Sequence, residues 1–226
     1  MRTLIIIPAR AGSKGLPGKN IKLLGCKPLI SHTIEFALSI RADDDVLCIS
    51  TDDDQVIDVA RNHDIVVPFK RPAELASDTA TTYDVIMHAL SYYEAQNDFF
   101  DAVLLLQPTS PLRIKEDFTD LLNQFDGDCD MVVTVKIAKE NPYYTLFEEN
   151  DSGYIEKSKK SNFNNRQDCP PIYAYNGSMY LISAGSLKAS NFQGFSKIKK
   201  VVMPDKRSID IDYMSDWILA EYFLNE

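Results

Sequence analysis

The fold is decided by the stretch Leu4-Ile5-Ile6-Ile7-Pro8-Ala9-Arg10-Ala11-Gly12-Ser13-Lys14-Gly15-Leu16-Pro17-Gly18-Lys19-Asn20. Its first four residues form an apolar run rich in β-branched side chains. Such a run predicts a strand buried on both faces of a parallel sheet. Pro8 cannot extend a central strand, so we expect the strand to end there.

The loop that follows this strand is suited to bind an anion. It contains three glycines, three basic residues and no acidic residue. Glycine lets backbone N–H groups approach a ligand closely, and Arg10, Lys14 and Lys19 add positive charge to those donors. At the carboxyl end of a first strand, this composition predicts a polyphosphate site.

The charge distribution supports an anion site near the amino terminus. The formal net charge is -9, yet the first acidic residue is Glu35, and the 34 residues before it carry six basic side chains. The remainder holds 18 basic against 33 acidic residues. A solvated basic face is the alternative interpretation. The acidic balance and a pI near 4.9 argue against a general nucleic-acid binder.

Two familiar phosphate loops do not fit this stretch. A Walker A loop needs four residues between its glycines and a hydroxyl after the lysine. Here five residues separate Gly12 from Gly18, and Asn20 follows Lys19. The Gly-x-Gly-x-x-Gly dinucleotide fingerprint is absent as well. An ATPase or kinase is therefore a poorer interpretation.

Apolar runs and amphipathic segments alternate along the first two thirds of the chain, which predicts an α/β protein with a doubly wound sheet. Strands are predicted at Leu4–Ile7, Val46–Ser50, Ile65–Val67, Ala102–Leu106, Met131–Val135, Ser178–Ile182 and Lys199–Pro204. Helices are predicted from Pro28, from Asp54 to Asn62, from Thr82 to Ala95, from Glu116 to Phe125 and from Tyr213 to Leu224.

Residues 141–175 interrupt this alternation. They are rich in tyrosine, asparagine and charge, and we interpret them as an inserted arm of short strands within a single domain of residues 1–226. A surface loop is the alternative, but the aromatic side chains favour packing against a second subunit. No apolar stretch approaches the roughly 20 residues of a membrane span, so we expect a cytoplasmic protein without membrane contact.

A second signal is the stretch Ile209-Asp210-Ile211-Asp212. In an extended chain both carboxylates point one way and both isoleucines the other. Two carboxylates on one face suit Mg²⁺, which commonly combines them with substrate phosphates. An edge strand with one solvated face is the alternative. Asp52 and Asp53 are weaker metal candidates, because helix capping explains them equally well.

Several motifs together resemble the acylneuraminate cytidylyltransferases, the enzymes that make CMP-sialic acid. They follow the family order over nearly the whole chain: the stretch from Ile7 to Asn20, Ser50-Thr51-Asp52-Asp53, Arg71-Pro72, Gln107-Pro108-Thr109-Ser110-Pro111-Leu112-Arg113, Arg166-Gln167-Asp168, Asn176-Gly177 and Asp210-Ile211-Asp212. The first motif and the Gln107–Arg113 motif are the specific ones.

The resemblance implies a Rossmann-like, doubly wound, mostly parallel sheet of the nucleotidyltransferase type. It implies a homodimer whose inserted arm reaches the partner's site. It also implies that CTP reacts with a nine-carbon 2-keto sugar acid, sialic acid or a relative, to give the CMP-sugar and pyrophosphate.

The resemblance also implies roles for particular residues. The implied nucleotide-binding residues are Arg10, Ser13, Lys14, Lys19, Asn20, Arg71 and Thr82. The implied sugar-binding residues are Gln107, Thr109 and Gln167. The implied catalytic residues are Arg166, Lys19 and Asp212, and Mg²⁺ is expected on Asp210 and Asp212.

Two alternatives belong to other classes of substrate or protein. One is a cytidylyltransferase for the eight-carbon acid 3-deoxy-manno-octulosonate. The first motif of that enzyme family lacks Gly-Ser-Lys-Gly. The other is a non-catalytic nucleotide-binding module. The paired carboxylates Asp210 and Asp212 argue against it, since simple nucleotide binding does not need them.

Overall fold

Strands and helices alternate as the sequence predicts. A computed structural model describes residues 1–12 and 15–225. The strands are β1 (Thr3–Pro8), β2 (Leu23–Leu24), β3 (Lys27–Pro28), β4 (Val46–Ser50), β5 (Ala102–Leu106), β6 (Met131–Ile137), β7 (Phe147–Glu149), β8 (Ile155–Lys157), β9 (Tyr173–Ser183) and β10 (Ile198–Val202). The helices are α1 (Leu29–Ile40), α2 (Asp54–Arg61), α3 (Thr82–Glu94), α4 (Lys115–Gln124), α5 (Ala184–Ala189) and α6 (Met214–Leu224).

The central sheet has the order β10-β6-β9-β5-β1-β4 in the described part of the chain. Strand β1 pairs in parallel with β4 and β5, and β10 pairs in parallel with β6. Strand β9 is antiparallel to both of its neighbours, β5 and β6. The sheet is thus mixed but mainly parallel, which confirms the predicted Rossmann-like α/β class.

Strand β1 is buried on both faces because helices cover both sides of the sheet. Ile5 and Ile7 pack into one core with side chains from α1, α2 and α4. Leu4 and Ile6 pack into another with side chains from α3 and α5. The continuous apolar run therefore serves two cores at once. Each helix in the described ranges is too short or too polar to cross a membrane.

The predicted strand at Ile65–Val67 is wrong. Asp64 adopts a left-handed backbone conformation (φ 59°), and the amide of Ile65 donates to the carbonyl of Ala60 at 3.0 Å. The run therefore begins inside the C-terminal turn of α2. Ile65 is buried, but Val66 is 84% exposed. The chain next meets the sheet at Lys70, which forms an isolated bridge with Thr51.

Strand β9 begins five residues earlier than predicted, inside the segment interpreted as an arm. Tyr173 lies opposite Ile137, where β6 ends, and the amide of Ala138 donates to the carbonyl of Ile172 at 2.8 Å. Residues 138–172 thus leave the sheet and return to it at one point. They contain the hairpin of β7 and β8, and Phe147, Tyr154 and Ile155 on this hairpin are exposed.

Candidate active site

The basic loop after β1 is closed by Asn20. The side-chain amide of Asn20 donates to the backbone carbonyl of Arg10 at 3.2 Å. The backbone carbonyl of Asn20 accepts from the amide of Ile30 in α1. Asn20 is buried, so it ties the two ends of the loop together and to a helix. Ser13 and Lys14, also predicted as nucleotide-binding residues, lie outside the described residues.

Two arginines lie at the carboxyl edge of β1 and β4. Arg10 forms an ion pair with Asp78, with Nη1 2.8 Å from Oδ1. Arg71 is buried and donates to the hydroxyl and carbonyl oxygens of Ser50. Burial lowers the pKa of Arg71 to about 10; the charge of Asp52 opposes this lowering and that of Arg10 adds to it. The structure therefore brings Arg10 and Arg71, two of the predicted nucleotide-binding residues, close enough for their charges to interact.

The weaker metal candidates have structural roles at the same edge. Asp52 accepts a hydrogen bond from the amide of Ala11 at 3.0 Å. Asp53 caps α2 by accepting from the amide of Gln55 at 2.9 Å. Helix capping and loop closure account for both carboxylates.

The basic loop touches the acidic stretch near the carboxyl end of the chain. The ammonium group of Lys19 donates to the carbonyl of Ile211 at 2.8 Å and to Oδ1 of Asp212 at 3.0 Å. Gly15 packs against the backbone of Asp212 so closely that a Cβ would overlap its carbonyl oxygen. Residues nearly two hundred positions apart in sequence thus form one site.

Residues 208–212, here called the acidic segment, are irregular and do not join a strand. Even so, Ile209 and Ile211 are buried in a small core with Leu29 and Trp217. Both aspartates are on the accessible side. The alternation expected of an extended chain therefore holds although the segment joins no strand, because the two isoleucines anchor it to a core of their own.

Asp210 is exposed, but neighbouring atoms remove part of the water around its carboxyl group. Loss of solvation raises its pKa, a hydrogen bond from the hydroxyl of Thr109 lowers it, and the charge of Asp212 raises it. Asp210 and Asp212 are therefore close enough to repel each other. A divalent cation between the two would relieve that repulsion, so the donor set fits Mg²⁺.

These two aspartates would need help to hold a metal ion. Among residues 1–12 and 15–225, no group of three or more His, Cys, Asp or Glu side chains could hold a metal. Mg²⁺ commonly completes its shell with water and substrate phosphates. The geometry is consistent with a site that forms fully only when a phosphate ligand is present.

Gln107 and Thr82 line a common cavity of about 330 Å³. Its wall also includes Tyr175 and Tyr180 of β9. Burial raises the pKa of Tyr180 to about 12, and the charge of Asp210 adds to this rise. One wall residue of the cavity thus feels the charge of Asp210. Thr82, predicted to seat the nucleotide, lies with the predicted sugar-binding residue Gln107.

Thr109, predicted to face the sugar, contacts the acidic segment. It is buried, its hydroxyl bonds to Asp210, and its carbonyl accepts from the amide of Ile211 at 2.8 Å. In this structure Thr109 positions the predicted metal ligands.

Arg166 and Gln167 lie apart from the Lys19–Asp212 contact within one chain. Both are exposed on a 3₁₀ turn, Arg166–Asp168. Arg166 donates to the carbonyl of Lys139 at 2.8 Å and lines a cavity of about 460 Å³. That cavity shares Lys139 and Asp205 with a larger one whose wall includes Asp210.

Comparison with known proteins identifies the family of the chain. The sequence model of a cytidylyltransferase family matches residues 4–218. The chain belongs to this family. Its members are nucleotidyltransferases, and the resemblance drawn from the sequence motifs is thereby confirmed.

Relatives of this cytidylyltransferase include CMP-N,N'-diacetyllegionaminic acid synthase of Legionella pneumophila, 36% identical over 98% of this chain and 95% of the relative. N-acylneuraminate cytidylyltransferase of Streptococcus agalactiae is 34% identical over 96% of this chain and 52% of that longer protein. The solved structure of CMP:2-keto-3-deoxy-manno-octonic acid synthetase complexed with CTP has a TM-score of 0.71. It covers 100% of this chain and 99% of its own, but at 18% identity the likeness shows the fold alone.

Asn176 of this cytidylyltransferase stands in one of the family motifs, but the sequence predicted no role for it. It is buried; its amide oxygen accepts from the hydroxyl of Thr134 at 2.8 Å, and its nitrogen donates to the hydroxyl of Ser208 at 3.0 Å. The next residue, Gly177, has φ 73°. Oδ2 of Asp210 lies 2.8 Å from where a Cβ of residue 177 would be. The Asn-Gly pair in a strand pattern was the available signal of a bulge.

Arg113 was quoted as part of a motif but given no role, and it is deeply buried. Its Nε donates to the hydroxyl of Ser178 at 3.2 Å, and Nη2 donates to the carbonyls of Gln107 and Ser110. Burial lowers the pKa of Arg113 to about 9, while the charges of Asp210 and Asp117 oppose the lowering. Arg113 thus holds the Gln107–Ser110 loop against β9 beside Asp210.

Proposed function

We propose that the chain transfers CMP from CTP to the anomeric hydroxyl of a nine-carbon 2-keto sugar acid and releases pyrophosphate. The observation that carries this proposal is the contact of Lys19 with Asp212. It joins a basic loop suited to phosphates to paired carboxylates suited to a metal.

In this proposal the nucleotide binds at the carboxyl edge of β1 and β4. Arg10, Lys19 and Arg71 neutralise phosphate charge, and the glycine-rich backbone supplies N–H donors. Asn20 keeps the loop closed. The assignments of Ser13 and Lys14 stay predictions.

Asp210 and Asp212 are the residues proposed to hold Mg²⁺. When bound, the ion would orient the phosphates and act as a Lewis acid toward them. The chain's own contribution is position and charge: Lys19 faces the phosphates, and Thr109 holds the carboxyl of Asp210. Phosphoryl and nucleotidyl transfer depend mainly on such positioning and charge neutralisation, so a covalent enzyme intermediate is not required.

The sugar acid is proposed to bind in the cavity lined by Gln107. Tyrosine rings offer apolar faces with polar tips, which suit a sugar that carries both C–H and hydroxyl groups. Tyr175 and Tyr180 provide such faces there. The names of the relatives support a nine-carbon acid of the sialic, legionaminic or pseudaminic type.

Arg166 and Gln167 are proposed to act on the site of a second copy. An exposed apolar strip crosses one face of the sheet, where Ile137 and Tyr173 lie opposite each other and Tyr175 and Val202 flank Val135. Such a strip favours a protein partner. A homodimer through this face would carry the arm of each copy toward the other. The cytoplasmic location stays a prediction.

Pyrophosphate release tests the proposal. The purified protein is incubated with CTP, Mg²⁺ and one acid at a time: N-acetylneuraminic, N,N'-diacetyllegionaminic, pseudaminic or deaminated sialic acid, or 3-deoxy-manno-octulosonate. Release with a nine-carbon acid is expected. Release with only the eight-carbon acid contradicts the sugar assignment. Thermal stabilisation by ATP and not by CTP contradicts the nucleotide assignment, because a ligand raises stability according to its affinity.

A further inference from the structure

The acidic segment lies outside the regular sheet, so its position depends on side-chain anchors. The amide of Ile211 donates to the carbonyl of Thr109, and the hydroxyl of Ser208 accepts from Asn176. A third anchor lies immediately before the segment. Arg207, the last residue of a 3₁₀ turn at Asp205–Arg207, reaches Asp117 at the start of α4.

The contact between Arg207 and Asp117 is a bidentate ion pair, here called the fork. Nε of Arg207 lies 3.1 Å from Oδ2 of Asp117, and Nη2 lies 2.8 Å from Oδ1. A fork of this kind fixes orientation as well as distance. Most surface ion pairs contribute little, but here the carboxylate is buried, with 5% of its side chain exposed.

Asp117 is itself held in place. Its Oδ2 accepts from the amide of Ile114 at 3.1 Å, which caps the first turn of α4. That helix packs beside β6 and β10 through buried Leu121. The fork therefore connects the acidic segment to a rigid layer of the fold.

We propose that Arg207 is a positioning residue for the two aspartates of the acidic segment, acting through its fork to Asp117. Arg207 does not contact the proposed ligands. It sets where the segment begins, three residues before Asp210 and five before Asp212. The inference rests on the proposed metal-binding role of Asp210 and Asp212.

The test measures metal binding rather than turnover. Mn²⁺, which is visible by electron paramagnetic resonance, is titrated into the CTP-bound protein without sugar acid. Arg207→Gln is expected to weaken Mn²⁺ binding about tenfold, the low end of what loss of a direct outer partner of a metal ligand costs, because Arg207 acts on the ligands only through the position of the segment. The affinity for CTP measured without metal should be unchanged, because the basic loop is intact. Arg207→Lys keeps the charge without the fork and should recover only part of the loss.

A matched control is Arg61→Gln. Arg61 pairs with Asp58 on α2 at 2.8 Å, an exposed Arg–Asp contact away from the acidic segment. It should leave Mn²⁺ binding unchanged. If Arg207→Gln lowers Tm but binds Mn²⁺ as the wild type does, the role of Arg207 is merely structural and the inference is wrong. A parallel loss of CTP and Mn²⁺ affinity would also overturn it.

Failure of the proposed metal site gives a different result. Asp210→Asn combined with Asp212→Asn should abolish protein-dependent Mn²⁺ binding. If that double variant binds Mn²⁺ like the wild type, the metal assignment itself fails, whatever Arg207 does. If it loses binding while Arg207→Gln does not, the metal assignment stands and only the positioning role is refuted.

Discussion

The ammonium group of Lys19 lies 3.0 Å from Oδ1 of Asp212, so a proposed phosphate-binding cation and a proposed metal ligand neutralise each other when no ligand is bound. The side chain of Lys19 is 13% exposed, whereas that of Asp212 is 61% exposed. The pair is therefore open to solvent on the acidic side. Phosphate and metal ion would each replace one partner of this contact, so the two ligands are expected to favour each other's binding.

Lys19→Met removes the cation and keeps most of the side-chain volume. We expect kcat/KM for CTP to fall about 100-fold, since an oriented charge at a transition state contributes about 3 kcal/mol. Pyrophosphate release measures the effect, and circular dichroism checks the fold. Lys22→Met is the control. It makes the same substitution at a neighbouring lysine whose ammonium lies over the ring of Trp217, 4.9 Å from the ring centre. Near-normal turnover in folded Lys19→Met would refute the role.

Gly15→Ala adds one methyl group where the basic loop meets the acidic segment. That methyl would overlap the carbonyl oxygen of Asp212, so either the loop or the segment must move. A displacement of about 1 Å in a catalytic site can cost about 100-fold in rate. Steady-state kinetics should show this loss with a small change in Tm.

Gly12→Ala is the matched control for that substitution. A Cβ at Gly12 meets no described atom within 4 Å. The same chemical change in the same loop should therefore be tolerated. Equal loss of activity in both variants would indicate a general need for loop flexibility, not a contact between Gly15 and Asp212.

Asp210→Asn should show that the charged carboxyl of Asp210 lowers the stability of the ligand-free protein. The pKa of Asp210 is raised in the folded state, chiefly by loss of solvation. For such an acid, the free energy of unfolding falls as the pH rises from the ordinary Asp range through the raised pKa. Ligand-free Asp210→Asn should thus be at least as stable as the wild type at about pH 7, and the difference should shrink toward about pH 4. Thermal unfolding at both pH values checks this; a clearly lower Tm of the variant at neutral pH would contradict it.

Val202→Glu tests the exposed strip on the sheet as a dimer face. Val202 is 46% exposed on β10, and a charge there would be buried without a partner in the proposed dimer. Light scattering should show a shift toward monomer, and activity should fall if Arg166 of the partner subunit completes the site. Val66→Glu, at a valine that is 84% exposed elsewhere, should change neither. A dimer that survives Val202→Glu places the interface on another face.

Local patterns predicted much of the fold. The runs at Val46–Ser50 and Ala102–Leu106 became strands with the same bounds, because a strand buried on both faces leaves an uninterrupted apolar signature. Ile65–Val67 has the same composition at shorter length. There the left-handed backbone of Asp64 at the end of α2 keeps the chain out of the sheet. Composition alone does not reveal such a turn.

The site was predictable where one short stretch carries the chemistry. Lys19 and the two aspartates stand in such stretches, and they do meet in space. The supports of Asp210 could not be found this way. These supports connect positions 32 to 97 residues apart: Asn176 with Ser208, Arg207 with Asp117, and Arg113 with the charge of Asp210. Each of these residues looks ordinary within its own stretch of sequence. The roles of Asn176 and Arg113 depend on the antiparallel insertion of β9, which the sequence pattern did not predict.

Residues 138–172 leave the sheet and return to it at one point, and this has an evolutionary consequence. The excursion begins and ends at neighbouring backbone atoms, those of Ala138 and Ile172. Its length and composition can therefore drift without disturbing the register of the sheet or the basic loop. Natural selection can exchange this segment, and with it the residues proposed to reach a second copy, while the basic loop stays unchanged.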